Sequence, residues 1–189
     1  MNAGVLASGG GTNLQALIET VHGREVEIVG VVSDRPDAHA LQRARGAGIE
    51  TAVFERADYA DRAARDAAIA DWLDARGVEL VVLAGYMALL DAAFVQHFRD
   101  RILNVHPSLL PKHPGLDAVG QAIAAGDDEF GVTVHFVDEG IDTGPIVLQE
   151  SVSLPGATDP AAVLAALRPL EHSLLPEAVR LFARGELAR

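Results

Sequence analysis

The 189-residue sequence has no cysteine, little positive charge and no long apolar run. The absence of cysteine excludes disulfides and thiolate metal sites, so redox conditions do not fix the compartment. Fifteen Lys and Arg stand against 27 Asp and Glu, a formal charge of −12. That balance argues against a nucleic-acid partner, whose phosphates require a basic face. No uncharged apolar stretch approaches the roughly 18 residues of a membrane span. The opening MNAGVLASGG also lacks the basic and apolar regions of a signal peptide. A cytoplasmic protein with no membrane partner is the expectation. With 49% hydrophobic and 22% charged residues, the chain has the composition and length to bury one proper core.

Short apolar runs at residues 5–7, 28–32, 51–54, 80–84 and 102–105 read as strands buried on both faces. Helical patterns lie between them at 13–22, 38–47, 59–76 and 91–98. This alternation predicts an α/β fold: one domain over 1–189, with a mostly parallel, Rossmann-like sheet and helices on both faces. After residue 106 the rhythm changes to a Pro-rich loop, strands at 132–137 and 146–152, and a long final helix from about 159. The short loop between those two strands predicts an antiparallel pair near the C-terminal end.

The stretch SGGGTN, residues 8–13, lies between the first strand and the first helix. Glycines there let backbone N–H groups close on a phosphate at a helix N-terminus. Thr12 or Asn13 is placed to cap the helix or donate to the anion. A tight turn that binds nothing is the alternative. Gly9 and Gly11 supply two glycines of a dinucleotide fingerprint, with Asp34 where a ribose-binding acid would sit, but Leu14 occupies the third glycine's place. A single phosphate fits better than two, and Asp34 reads as a strand-end turn residue.

In ILNVHPSLLP, Asn104 and His106 lie two apart at a strand's carboxyl end, so both side chains face one way. That end of a parallel sheet is where ligands bind. There an amide donates to a developing oxyanion while an imidazole moves a proton. Asp142, in DEGIDTGPI, is a candidate partner for the imidazole; a turn aspartate bonding its own backbone is the competing reading. Asp142-Thr143-Gly144 also spells the aspartic-protease tripeptide, yet it occurs once and in the wrong fold class. His106, His113, His135 and Asp142 show no metal-binding spacing.

Taken together, SGGGTN, LAGYMALL, ILNVHPSLLPKHPG, GVTVHFV and GIDTGPIVLQ resemble, in order and spacing, the folate-dependent phosphoribosylglycinamide formyltransferases. The resemblance covers essentially the whole chain. It implies transfer of the formyl group of 10-formyltetrahydrofolate to the amine of glycinamide ribonucleotide, in purine synthesis. Asn104, His106 and Asp142 would be catalytic. Gly11, Thr12, Asn13, Arg168, Pro169, Leu170 and Glu171 would hold the ribonucleotide. Arg62, Met87, Ala88, Leu89, Leu90, Asn104, Asp138, Glu139, Gly140, Ile141 and Asp142 would hold the folate. The N-terminal half would bind phosphate, and the C-terminal half folate. No tightly bound cofactor and no metal is implied; the folate is a co-substrate, and the protein would be a monomer or homodimer.

Several positions depart from the family pattern. Ala88 stands where many relatives carry Arg, 117–119 lack a frequent His, and His113 replaces a frequent aromatic. Pro169 should kink or start a helix. Ser108, Thr133 and His135 either shape the pocket or satisfy backbone groups. Rival readings are 10-formyltetrahydrofolate hydrolysis, methionyl-tRNA formyl transfer (which needs a basic RNA-binding domain) and a non-catalytic folate- or nucleotide-binding module.

Overall fold

Strands β1 (Asn2–Leu6), β2 (Glu27–Ser33), β3 (Thr51–Val53), β4 (Leu80–Leu83) and β5 (Ile102–His106) form the parallel part of one sheet in a computed structural model that describes residues 1–187. The last two residues of the expected domain lie outside the described residues. β6 (Glu129–Phe136) pairs antiparallel with both β5 and β7 (Ile146–Ser153), giving the order β3-β2-β1-β4-β5-β6-β7. The expected antiparallel pair is there, and β6 also runs antiparallel to the central strand beside it.

Alternation along the buried strands divides their side chains between two cores. Val5, Val31, Val82 and Leu103 face one side, where α1 (Thr12–Thr20), α2 (His39–Gly46), α5 (Ala118–Ala125) and α6 (Pro160–Ala183) pack. Leu6, Val32, Val81 and Ile102 face the other, against α3 (Arg62–Asp74) and α4 (Ala92–His97). Fully buried side chains such as Leu14, Ile69 and Leu175 each contribute roughly 1.5–3 kcal/mol by leaving water. No helix of the described residues is long and apolar enough to cross a membrane.

Three local expectations are corrected. α3 starts at Arg62, after a separate 3-10 turn at Arg56–Asp58, because the Asp61 carboxylate accepts the Ala64 N–H at 2.8 Å and caps the helix there. α5 is a helix that the loop-rich region concealed. Of the two alternatives for Pro169, kinking or starting a helix, the second is excluded: α6 begins at Pro160, capped by Asp159, and runs through Pro169 and Pro176. Its side-chain packing against the sheet outweighs the lost N–H of each proline.

β2 and β4 flank β1, so the connections after β1 and β4 diverge to opposite faces. Such a divergence leaves a crevice at the carboxyl ends. The 8–11 loop, the 84–91 segment and the end of β5 all open onto it.

Candidate active site

The glycine loop has one structural glycine and two free ones. Gly11 sits at φ +70°, the left-handed region, and a Cβ there would lie 2.6 Å from Ala40 Cα. Gly9 and Gly10 are exposed and would meet no atom within 4 Å. Their carbonyls turn to the protein, accepting from the Ala40 N–H at 3.0 Å and from Arg43 Nε at 2.8 Å, while their Cα atoms face open space. Neither Thr12 nor Asn13 caps the helix: Gly11 is the N-cap and no side chain bonds there. The first amides of α1 therefore keep no partner within the helix. The Asn13 Nδ2 instead donates to Glu171 Oε2 of α6 at 3.2 Å, joining the two ends of the chain. Burial pushes Glu171 above the usual carboxylate range, against the Asn13 hydrogen bond and the charge of Arg168. Arg168 and Pro169 are exposed beside it, and Leu170 is half-buried.

Asn104 and His106 leave β5 on one face, as alternation requires, and a second histidine joins them. Asn104 is paired across the antiparallel ladder with His135 of β6, with Nδ2 and Nε2 3.1 Å apart. The His135 Nδ1 donates to the Phe136 carbonyl at 2.8 Å, so in the neutral form of the ring Nε2 accepts from Asn104, and in the charged form its Nε2–H faces Asp142. A second Asn104 N–H remains free to donate. Asp142 lies between the imidazoles, Oδ2 3.4 Å from His106 Nδ1 and Oδ1 3.5 Å from His135 Nε2. The His106 Nε2 donates to the His113 carbonyl at 3.0 Å. Both neighbours of His106 are acceptors, so a ring protonated on both nitrogens satisfies both.

Asp142 is not the self-bonded turn aspartate; that role belongs to Asp138. The Asp138 Oδ1 accepts from the Gly140 N–H at 3.0 Å and the Thr143 hydroxyl at 2.7 Å. At Gly144 a Cβ would lie 1.9 Å from the Phe136 carbonyl oxygen, so only glycine lets the loop close against β6. Asp142 itself, at φ 53°, accepts the Gly115 N–H at 2.7 Å. Burial alone would raise the Asp142 carboxyl. The His135 contact, the Gly115 amide and the charges of His106 and His135 outweigh it and hold the group below its ordinary range.

Other positions divide plainly. The Ser108 hydroxyl donates to the Lys112 carbonyl, and the Thr133 hydroxyl donates to the Ser108 carbonyl while accepting the Leu110 N–H. Both satisfy loop backbone. His113 bonds Asp127 at 2.8 Å through its side chain, a fixed anchor for the loop whose carbonyl meets His106. Met87, Leu89 and Ile141 project exposed side chains at the rim, while Ala88 and Leu90 are half-buried. The Gln96 amide donates to Glu139 at 2.9 Å. Arg62 is exposed at the start of α3; its neighbour Arg65 is the arginine that reaches the 87–91 segment. Ser8, which sequence reasoning passed over, accepts the Met87 N–H at 2.8 Å and ties the glycine loop to that segment.

Known proteins match this chain over nearly its full length. Residues 1–179 match the model of the formyl transferase family. The chain is 44% identical over 185 residues to a phosphoribosylglycinamide formyltransferase of Haemophilus influenzae, covering 97% of this chain and 87% of that protein. It is 40% identical to one from Escherichia coli, covering 99% and 89%. A crystal structure of glycinamide ribonucleotide transformylase 1 from Symbiobacterium toebii superposes with a TM-score of 0.95 at 47% identity, covering 100% of this chain and 90% of that one. An α/β sheet with its polar groups gathered at the carboxyl ends, matched along nearly its whole length, places this chain in the formyl transferase family.

Proposed function

We propose that the chain transfers the formyl group of 10-formyltetrahydrofolate to the amine of 5'-phosphoribosylglycinamide. Full-length relatives bearing that name support the reading. The observation that carries it is the meeting of Asn104, His135, Asp142 and His106 on the rim that also holds the exposed Gly9–Gly10 turn.

The phosphate sits on the glycine loop and the N-terminus of α1, at Gly11, Thr12 and Asn13. The 168–171 segment holds the rest of the ribonucleotide, with the Glu171 carboxylate on the ribose. The folate lies across Met87–Leu90, between Arg62 and the 138–142 loop. The first half of the chain thus supplies the phosphate cradle, and the second half supplies the catalytic groups. The amine attacks the formyl carbon, and the carbonyl oxygen becomes an oxyanion. The free Asn104 N–H donates to it, a contact strongest in the transition state. The charged form of His106, facing Asp142, supplies further positive charge. Collapse reforms the carbonyl and breaks the bond to the folate nitrogen N10. A proton lost by the amine passes to N10 through His106 and Asp142. N-formylglycinamide ribonucleotide and tetrahydrofolate leave.

With a charge of −12, the partners are these small molecules and not a nucleic acid, and the protein works in the cytoplasm as a monomer or homodimer. The test is to follow loss of 10-formyltetrahydrofolate with and without the ribonucleotide. Turnover is expected only with it. Equal turnover in its absence identifies a hydrolase instead.

A further inference from the structure

Two opposite charges are buried side by side on α3: Arg65 is 4% exposed and Asp66 0%. The Arg65 Nε and Nη2 both donate to Asp66 Oδ1, at 2.9 and 2.7 Å. Burying such a pair in place of apolar side chains generally does not stabilise a fold, because desolvation offsets the attraction. Stability therefore does not account for it. Its remaining hydrogen bonds both go to one short segment. Arg65 Nη2 donates to the Leu89 carbonyl at 3.2 Å, and Asp66 Oδ2 accepts the Asp91 N–H at 2.6 Å.

Ala88 and Leu90 of that segment pack half-buried against the core, and Asp91 caps α4. Met87 and Leu89, by contrast, are 58% and 62% exposed, so their own side chains do not anchor the segment. Its other end is tied to Ser8, which accepts the Met87 N–H and donates its own N–H to the Gly85 carbonyl at 3.1 Å. The peptide groups of 87–91 are thus hydrogen-bonded to Ser8 at one end and to the Arg65–Asp66 pair at the other.

We propose that Arg65 and Asp66 are positioning residues that set the 87–91 backbone for the formyl-carrying folate. The inference rests on the function proposed above. An arginine whose forked donors span a carboxylate and a carbonyl fixes both position and direction, which an apolar contact does not. Neither residue touches substrate. Each acts through the Leu89 and Asp91 peptide groups.

Substituting either residue alone by alanine strands a buried charge and risks unfolding. The informative variant is the double change Arg65→Met and Asp66→Asn, which removes both charges and leaves an amide oxygen for the Asp91 N–H. KM for 10-formyltetrahydrofolate is expected to rise about 10-fold, the scale of one lost buried hydrogen bond, while KM for the ribonucleotide stays within about twofold. Arg65→Lys, which keeps the charge but not the fork, should fall between the double variant and the unaltered protein. Parallel rises in both KM values, or unchanged folate KM in a folded double variant, overturn the proposal. If the unaltered protein shows no ribonucleotide-dependent transfer, the proposed function fails. The pair is then judged by calorimetric titration with 10-formyltetrahydrofolate alone, where an unchanged Kd in the variant overturns it.

Discussion

Asn104 and His135 face each other across β5 and β6, amide nitrogen to ring nitrogen at 3.1 Å. Because His135 spends its other nitrogen on the Phe136 carbonyl, the Nε2 of its neutral form accepts from Asn104 and orients that amide. Replacing His135 by alanine frees that amide to rotate. kcat should fall about 10- to 100-fold, with the ribonucleotide KM nearly unchanged, since an oxyanion donor that loses its direction loses most of its value. Steady-state kinetics on both substrates check this. A rise in ribonucleotide KM with unaltered kcat contradicts it.

Asp142→Asn removes the charge between His106 and His135. A loss of roughly 10²–10⁴ in kcat is expected from disabled proton transfer. The same variant tests the depressed carboxyl. A carboxyl lowered on folding stabilises the protein fully above its unfolded value of about 3.9, and that contribution disappears as pH falls through the folded value. The stability difference between the unaltered protein and the Asp142→Asn variant should hold steady from about pH 7 to 5 and close only below about 4. Denaturant unfolding across that range measures it.

The glycine loop separates shape from binding. Gly11→Ala places a side chain at positive φ and against Ala40, costing about 1–2 kcal/mol for the backbone and a further ~1–3 for overpacking. Gly10→Ala meets no protein atom, so its unfolding midpoint should not move, while the ribonucleotide KM rises. Thermal melts beside kinetics distinguish the two. If Gly10→Ala leaves the KM unchanged, the phosphate lies elsewhere.

Glu171 is expected to show function opposed to stability. Burial raises its carboxyl, so the ionised form burdens the fold. The stability present below the unfolded value of about 4.3 is lost as pH rises through the folded one. Glu171→Gln escapes that loss. Its melting temperature should exceed that of the unaltered protein at pH 7, and the gain should shrink on acidification. Its ribonucleotide KM should rise roughly 10-fold, because a neutral amide is a weaker acceptor for a ribose hydroxyl. A lower melting temperature at pH 7 contradicts this account.

Much of the architecture was legible along the chain because the central strands are buried on both faces and so read as unbroken apolar runs. The alternation rule was enough to put Asn104 and His106 on one side of β5, and the glycines marked the loop after β1. Arg65 and Asp66 were harder to read. They precede Ile69 and Leu73 on the buried stripe of α3, a place where solvated charges do not belong. Local pattern reports that anomaly without naming what it serves.

By itself, then, the order of residues determined which segments form strands and helices, and which polar groups emerge at strand ends. Those properties depend on spacing within a few residues. Only the tertiary structure decided that His135, 31 positions from Asn104, orients its amide, and that Glu171 meets Asn13 across 158 positions. It also turned Thr12 and Asn13 away from capping and tied the 87–91 segment to Arg65. The reason is physical: cross-strand register and helix docking bring together groups whose separation in the chain carries no signal, and burial then fixes which of their hydrogen bonds must be made.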